Sequence, residues 1–147
     1  MWLTRLSRLN SVALEERAAG YGSTSSESAV LGALLLGGPV LSPSHLTNLV
    51  VQSPGGLTKT LRRLEDAGHI RRRADPSDRR ALLVVLTDKG RRAAEHADAE
   101  LRSHYDELCA DLSAEEHAEL GRLLRKVLDR LEPATGMARS TWPPPMP

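Results

Sequence analysis

Residues 53–86 read SPGGLTKTLRRLEDAGHIRRRADPSDRRALLVVL, and within them a helix gives way to a pair of strands. Ser53-Pro54 is an N-cap followed by proline at the first helical position, where the missing N–H costs nothing. Leu57, Leu61 and Leu64 recur at three- and four-residue spacing and Gly68 stands past the end, which predicts a helix to about Ala67. After Gly68 the pattern turns strand-like. Ile70–Arg73 and Ala81–Leu86 flank Ala74-Asp75-Pro76-Ser77-Asp78, a run of turn formers, so the expectation is a β-hairpin with a charged tip.

Working backward, Ser42-Pro43 repeats the same start signal, and Leu46, Leu49 and Val50 form the expected buried stripe of a short third helix. Only Val51–Gln52 separates that stripe from Ser53-Pro54. Proline cannot continue the earlier helix, so the two must turn sharply, as a helix-turn-helix does. Further back, Thr24 and Glu27 have capping-box spacing ahead of Val30, Leu31, Leu34 and Leu35, and Gly37-Gly38-Pro39 stops that helix. A first helix over about Trp2–Ala19 carries Leu3, Leu6, Leu9 and Ala13. Forward of the hairpin, Thr87 caps a fifth helix with Ala94, Ala97, Leu101, Tyr105, Leu108 and Leu112 in a narrow stripe. Ser113 and Glu116 open a sixth helix, striped by Leu120, Leu123, Leu124, Val127, Leu128 and Leu131. Such a seam needs an apolar partner, either the first helix or a second copy of the chain. From Pro133 onward periodicity is lost, and residues 133–147 are expected to form a Pro-rich, disordered tail. The fold class expected is mainly α with a small β-hairpin wing, a winged helix-turn-helix.

Composition sets the frame. The 147 residues suit one domain, and with no Phe and only four Trp and Tyr the core must be built from Leu, Val and Ala. The lone Cys109 excludes an internal disulfide framework and a multi-cysteine zinc site. Met1–Asn10 has no apolar core of signal-peptide length, and Ala29–Leu36 is far too short to span a bilayer, so no membrane association and a cytoplasmic location are expected. The net charge of +1 conceals a division along the chain. Ser53–Arg92 holds eleven Lys and Arg against five acids, whereas Ala93–Glu132 holds five against eleven. The first segment is suited to a polyanion and its neighbour is not.

With Leu57, Leu61 and Leu64 turned inward, the opposite side of helix four carries Gly55, Lys59 and Arg62, flanked by Thr58 and Arg63. These groups offer donors to base edges and phosphates in a major groove, and Ser53 and Gly55 stand at the helix start, where free N–H groups favour anions. Gly55 and Gly56 each weaken the helix by ~1 kcal/mol relative to Ala, which leaves room for a close sugar-phosphate chain. Arg71, Arg72 and Arg73 on one strand and Arg79 and Arg80 opposite would gather five guanidinium groups around one loop. Such like-charge crowding is unfavourable unless a counter-charge such as a narrow minor groove relieves it.

The run from Ser53 to Ile70, then Asp75-Pro-Ser-Asp-Arg-Arg, then Val85-Leu-Thr-Asp-Lys-Gly90, resembles the MarR family of bacterial transcriptional regulators. The resemblance covers about Leu3 to Leu131 and is most specific in the wing. It implies a homodimer with interlocking N- and C-terminal helices, in which two winged modules read a pseudo-palindromic double-stranded DNA operator. By that likeness Arg80 enters the minor groove, Asp78 anchors it and helix four reads the major groove, while the hairpin's own charge puts Arg72, Arg73 and Arg79 on phosphates. Residues 1–132 then form one domain, with 23–91 the winged module and 1–22 and 92–132 the dimerisation helices. Leu3, Leu6, Leu9, Leu101, Tyr105, Leu108, Leu120, Leu124, Val127 and Leu131 would make the dimer surface. Two departures limit the likeness. Peroxide-sensing relatives place a cysteine in the first helix and this chain has none there; Cys109 instead falls in helix five, where burial is its expected role. Few aromatics are present to line a pocket for a phenolic ligand, so any small-molecule effector stays unnamed.

Two other readings compete. Enzyme catalysis finds no support, because His45, His69, His96, His104 and His117 are scattered with no catalytic or metal-binding spacing, and no cofactor is implied. A helical protein-interaction module would suit helices five and six but would leave the arginine-rich hairpin without a purpose.

Overall fold

The computed structural model describes residues 1–76 and 82–135, the side chains of 131–135 excepted. Its elements are α1 (Trp2–Gly20), α2 (Ser25–Gly37), β1 (Val40–Leu41), α3 (Pro43–Leu49), α4 (Pro54–Asp66), β2 (Ile70–Ala74), β3 (Leu82–Leu86), α5 (Asp88–Leu108) and α6 (Ala114–Thr135). The chain divides into two compact units, residues 1–104 and 105–147.

In the first unit the caps read from the sequence hold the helix starts. Thr24 Oγ1 accepts from the Glu27 amide at 3.2 Å while Glu27 Oε2 accepts from the Thr24 amide at 2.9 Å, closing the capping box. Ser42 and Ser53 cap α3 and α4 in turn, each with proline behind it. Ser25 at the start of α2 donates its amide and hydroxyl to the Glu15 carboxylate of α1, which holds that carboxyl below its ordinary value. One core unites the elements. Val30, Leu31 and Leu34 of α2 meet Leu46, Val50, Leu57, Leu61 and Leu64, and the sheet closes it with Ile70, Val84 and Leu86. Each fully buried Leu or Val contributes about 1.5–3 kcal/mol.

The sheet has the order β1-β3-β2, antiparallel throughout, with Ile70 opposite Leu86 and Ala74 opposite Leu82. Strand β1 is not foreseen by the sequence; its two residues, Val40 and Leu41, pair with Val85 and Val84. The register also corrects the expected facing of arginines across the two strands, while the gathering of five around the loop involves Arg79 and Arg80, which lie outside the described residues. Arg71, Arg72 and Arg73 stand opposite Val85, Val84 and Leu83, not opposite other arginines. Leu49 is a second correction: it is 44% exposed because α3 ends there, and Leu46 and Val50 alone carry the buried stripe. At the start of α5, Thr87 Oγ1 accepts from the Gly90 amide at 3.0 Å, and Ala94 and Ala97 are buried. A part-buried polar pair, His104 Nε2 with Asn10 Oδ1 at 2.7 Å, joins α5 to α1.

In the second unit α5 ends at Leu108, so Leu112 and Cys109 fall in the turn that follows it and not in the helix; Cys109 is a free, half-buried thiol. Ser113 and Glu116 form the expected box, with Glu116 Oε2 accepting from the Ser113 amide at 2.8 Å. α6 runs through Pro133 to Thr135, past the expected start of the tail; the remainder, 136–147, lies outside the described residues. Among the described residues no helix is long and apolar enough to cross a membrane.

Candidate nucleic-acid interface

The turn between α3 and α4 is set by one side chain. Gln52 donates through Nε2 to the Ser26 carbonyl at 3.0 Å and accepts through Oε1 from the Thr60 hydroxyl at 3.0 Å, tying the turn to α2 on one side and α4 on the other. Behind it, Ser53 Oγ accepts from the Gly56 amide at 3.1 Å. Leu57, Leu61 and Leu64 bury the inner face of α4. The outer face shows Gly55, Thr58, Lys59 and Arg62, all exposed. Lys59 has no ion-pair partner among the described residues, and Arg62 has only a loose contact of 4.0 Å with Asp66. A Cβ on Gly55 would meet nothing within 4 Å, so the chain itself does not require glycine there. The Thr58 hydroxyl donates to the Pro54 carbonyl at 2.9 Å.

Two arginines that flank this face are held inside the module. Arg63 Nε lies 3.1 Å from Glu27 Oε1, so the carboxylate that closes the α2 capping box also grips α4. Arg72 Nε lies 3.2 Å from Glu65 Oε2. Arg71 and Arg73, also on β2, are exposed and carry no ion pair among the described residues. Asp78, Arg79 and Arg80 lie outside the described residues.

The end of α4 is locked to the start of α5. Gly68 adopts φ +74°, the left-handed conformation that lets the chain leave the helix. Lys89 Nζ donates to the Ala67 carbonyl at 2.7 Å, and Thr87 Oγ1 donates to the Gly68 carbonyl at 2.8 Å. Gly90 packs so closely that a Cβ would come within 1.8 Å of the His69 carbonyl oxygen, so only glycine fits. His69 itself sits in a cleft of about 580 Å³ lined also by Tyr21, Glu27, Arg63, Asp66 and His96. Burial first, then the Lys89 charge, lowers its pKa, and its Nδ1 is buried without a hydrogen-bond partner among the described residues.

A short helix-turn-helix backed by leucines and packed with a three-stranded sheet is therefore in place, and known proteins share it. The sequence model of the MarR family matches residues 21–81. The regulator YwoH of Bacillus subtilis is 30% identical over 128 residues, 87% of this chain and 92% of its own length. This chain belongs to the MarR family. The mycobacterial transcriptional repressor Rv2887 of Mycobacterium tuberculosis is 36% identical over 89 residues, 60% of this chain; the match spans 64% of that repressor's length. Among solved structures, a mutant MarR of Escherichia coli complexed with operator DNA superposes with a TM-score of 0.76 at 28% identity, covering 86% of this chain and 91% of that one. The MarR-family fold fits the mainly helical chain with its small antiparallel wing sheet, as the sequence implies.

Of the residues expected to touch DNA, α4 brings Ser53, Gly55, Thr58, Lys59 and Arg62 together, and β2 carries Arg72 and Arg73. The residues that fix their geometry escape a reading of the sequence. Gln52 and Glu65 lack a periodic signal, and the pairing of Glu27 with Arg63 spans 36 positions. Of the expected dimer residues, Leu3, Leu6 and Leu9 on α1 are exposed, as are Tyr105, Leu108, Leu120, Leu124 and Val127 in the second unit. Leu101 is half-buried, and the Leu131 side chain is outside the described part.

Proposed function

We propose that this chain is a sequence-specific, double-stranded DNA-binding transcriptional regulator, a cytoplasmic homodimeric repressor without catalytic activity that responds to a ligand or stress. α4 enters the major groove with Thr58, Lys59 and Arg62 facing base edges and phosphates, and Ser53 and Gly55 bring its first turn against the backbone. The wing follows into the minor groove, with Arg80 inserted, Asp78 anchoring it, and Arg73 and Arg79 on phosphates. Two such modules read a pseudo-palindrome. The observation that carries this reading is the outer face of α4: a leucine-backed helix whose front is cationic and bare, with glycine where the chain itself has no need of it. The family and the likeness to a MarR–operator complex support it.

Titration of the purified protein against a mixed pool of duplex DNA at rising salt tests the reading. Binding through several phosphates makes the logarithm of affinity fall against the logarithm of salt with a slope of about −0.9 per contact. Lys59→Ala removes about one such contact. A flat salt response would favour a helical protein-interaction module and defeat the proposal.

A further inference from the structure

The geometry points to Arg72 as a positioning residue and not a phosphate contact: with Glu65 it forms a strut that fixes the wing strand against the recognition helix. This rests on the DNA-binding reading above. Glu65 stands in the last turn of α4, and both of its oxygens are engaged by one residue. Oε1 accepts from the Arg72 backbone amide at 3.2 Å and Oε2 pairs with Arg72 Nε at 3.2 Å. A two-point grip of this kind resists both sliding and rotation of the strand.

The sheet shows why such a strut is needed. β2 is an edge strand, and an edge strand leaves alternate amides unpaired by its neighbour. Glu65 takes one of these. Ile70 is the single buried residue of β2, and Arg71, Arg73 and Ala74 are exposed, so the outer half of the strand has no core of its own. Beyond its ladder with β3, the described contact that ties this half of β2 to the rest of the module is the Glu65–Arg72 pair. Strand alternation sorts the three successive arginines accordingly. Arg72 shares the face of Ile70 and turns toward α4, where its side chain is only 32% exposed, whereas Arg71 and Arg73 lie on the opposite face with no ion pair among the described residues.

The test uses a duplex selected from a random pool by the wild-type full-length protein, and compares wild type with Arg72→Ala, Glu65→Ala, the double variant and Arg73→Ala. Arg72→Ala and Glu65→Ala are each expected to weaken binding roughly 5-fold, and the double variant no further, since both remove one interaction. The salt slope stays at the wild-type value in these three, whereas Arg73→Ala reduces it by about 0.9. Hydroxyl-radical footprints keep the wild-type extent in these three, because the wing still docks once its strand has been ordered, with melting temperatures within a few degrees of wild type. The inference is overturned if Arg72→Ala lowers the salt slope while Glu65→Ala leaves or improves affinity, because Arg72 then serves a phosphate. Additive losses, or protection lost evenly along with thermal stability, also overturn it. A wild type that selects no duplex at any salt defeats the regulator reading itself, and this inference with it.

Discussion

At the scale of single residues, His69 carries the clearest consequence. It shares one cleft with Glu27, Arg63, Asp66 and His96, and the charge of Lys89 also reaches it. Burial and the Lys89 charge favour the neutral ring, and the Glu27 carboxylate opposes them without prevailing. The folded pKa is therefore below the ordinary value of 6.5, so the unfolded chain takes up the proton first as pH falls. The stability tied to neutral His69 is present above pH 6.5 and is lost as the pH drops through the lower folded value. Melting temperature followed from pH 7.5 to 5 should fall less steeply for His69→Gln than for wild type; parallel curves would show that His69 is not the group responsible. The sequence marks His69 only as one of five scattered histidines. Its environment comes from Gly90, whose missing Cβ admits the His69 carbonyl, and that fit across some twenty residues has no local signature. Gly68, by contrast, is legible, since a glycine just past a leucine-striped helix marks a left-handed exit.

At the scale of elements, what the sequence reveals is what local rules control. Ser-Pro pairs and capping boxes place the starts of α2, α3, α4 and α6 to the residue, because each cap is a contact between neighbours in the chain. β1 escapes, being two residues that become a strand only through Val84 and Val85. The end of α5 also escapes, because the apolar stripe continues to Leu112 while the helix stops at Leu108. The register of the hairpin, and with it the partner of each arginine, is a tertiary fact. The cap of α4 makes a prediction at this scale. Two glycines follow Pro54, so the first turn of the recognition helix relies on Ser53 Oγ and the Gly56 amide. Ser53→Ala should cost about 1 kcal/mol of stability, and Ser53→Asp should retain the cap. Urea titration reads both. Equal midpoints for Ser53→Ala and wild type would mean that the turn is held by the Gln52 contacts alone.

At the scale of the whole molecule, the charge division and the apolar faces assign different work to different parts. The net +6 of residues 53–92 coincides with α4, the hairpin and the start of α5, and the acidic segment after it includes α6. Within each unit a stripe of leucines is left uncovered: Leu3, Leu6, Leu9 and Val12 on α1, and Leu120, Leu124 and Val127 on α6. Such a stripe supports the proposed pairing of two chains. Leu9, 58% exposed in the single chain, is the discriminating position. An aspartate there stays hydrated in the monomer, whereas in an apolar seam between two chains it must give up its water without a partner. Leu9→Asp should therefore keep the wild-type circular dichroism spectrum and sediment as a monomer at micromolar concentration. Its effect should reach the DNA as well. When two modules are joined, the second binds at the effective concentration set by the first, which strengthens binding by about 100-fold or more. The variant should lose that factor on a two-half-site operator and keep wild-type affinity for an isolated half-site. Retention of the dimer by Leu9→Asp would exclude α1 from the seam. A monomer whose operator affinity is undiminished would mean that one module reads the whole site.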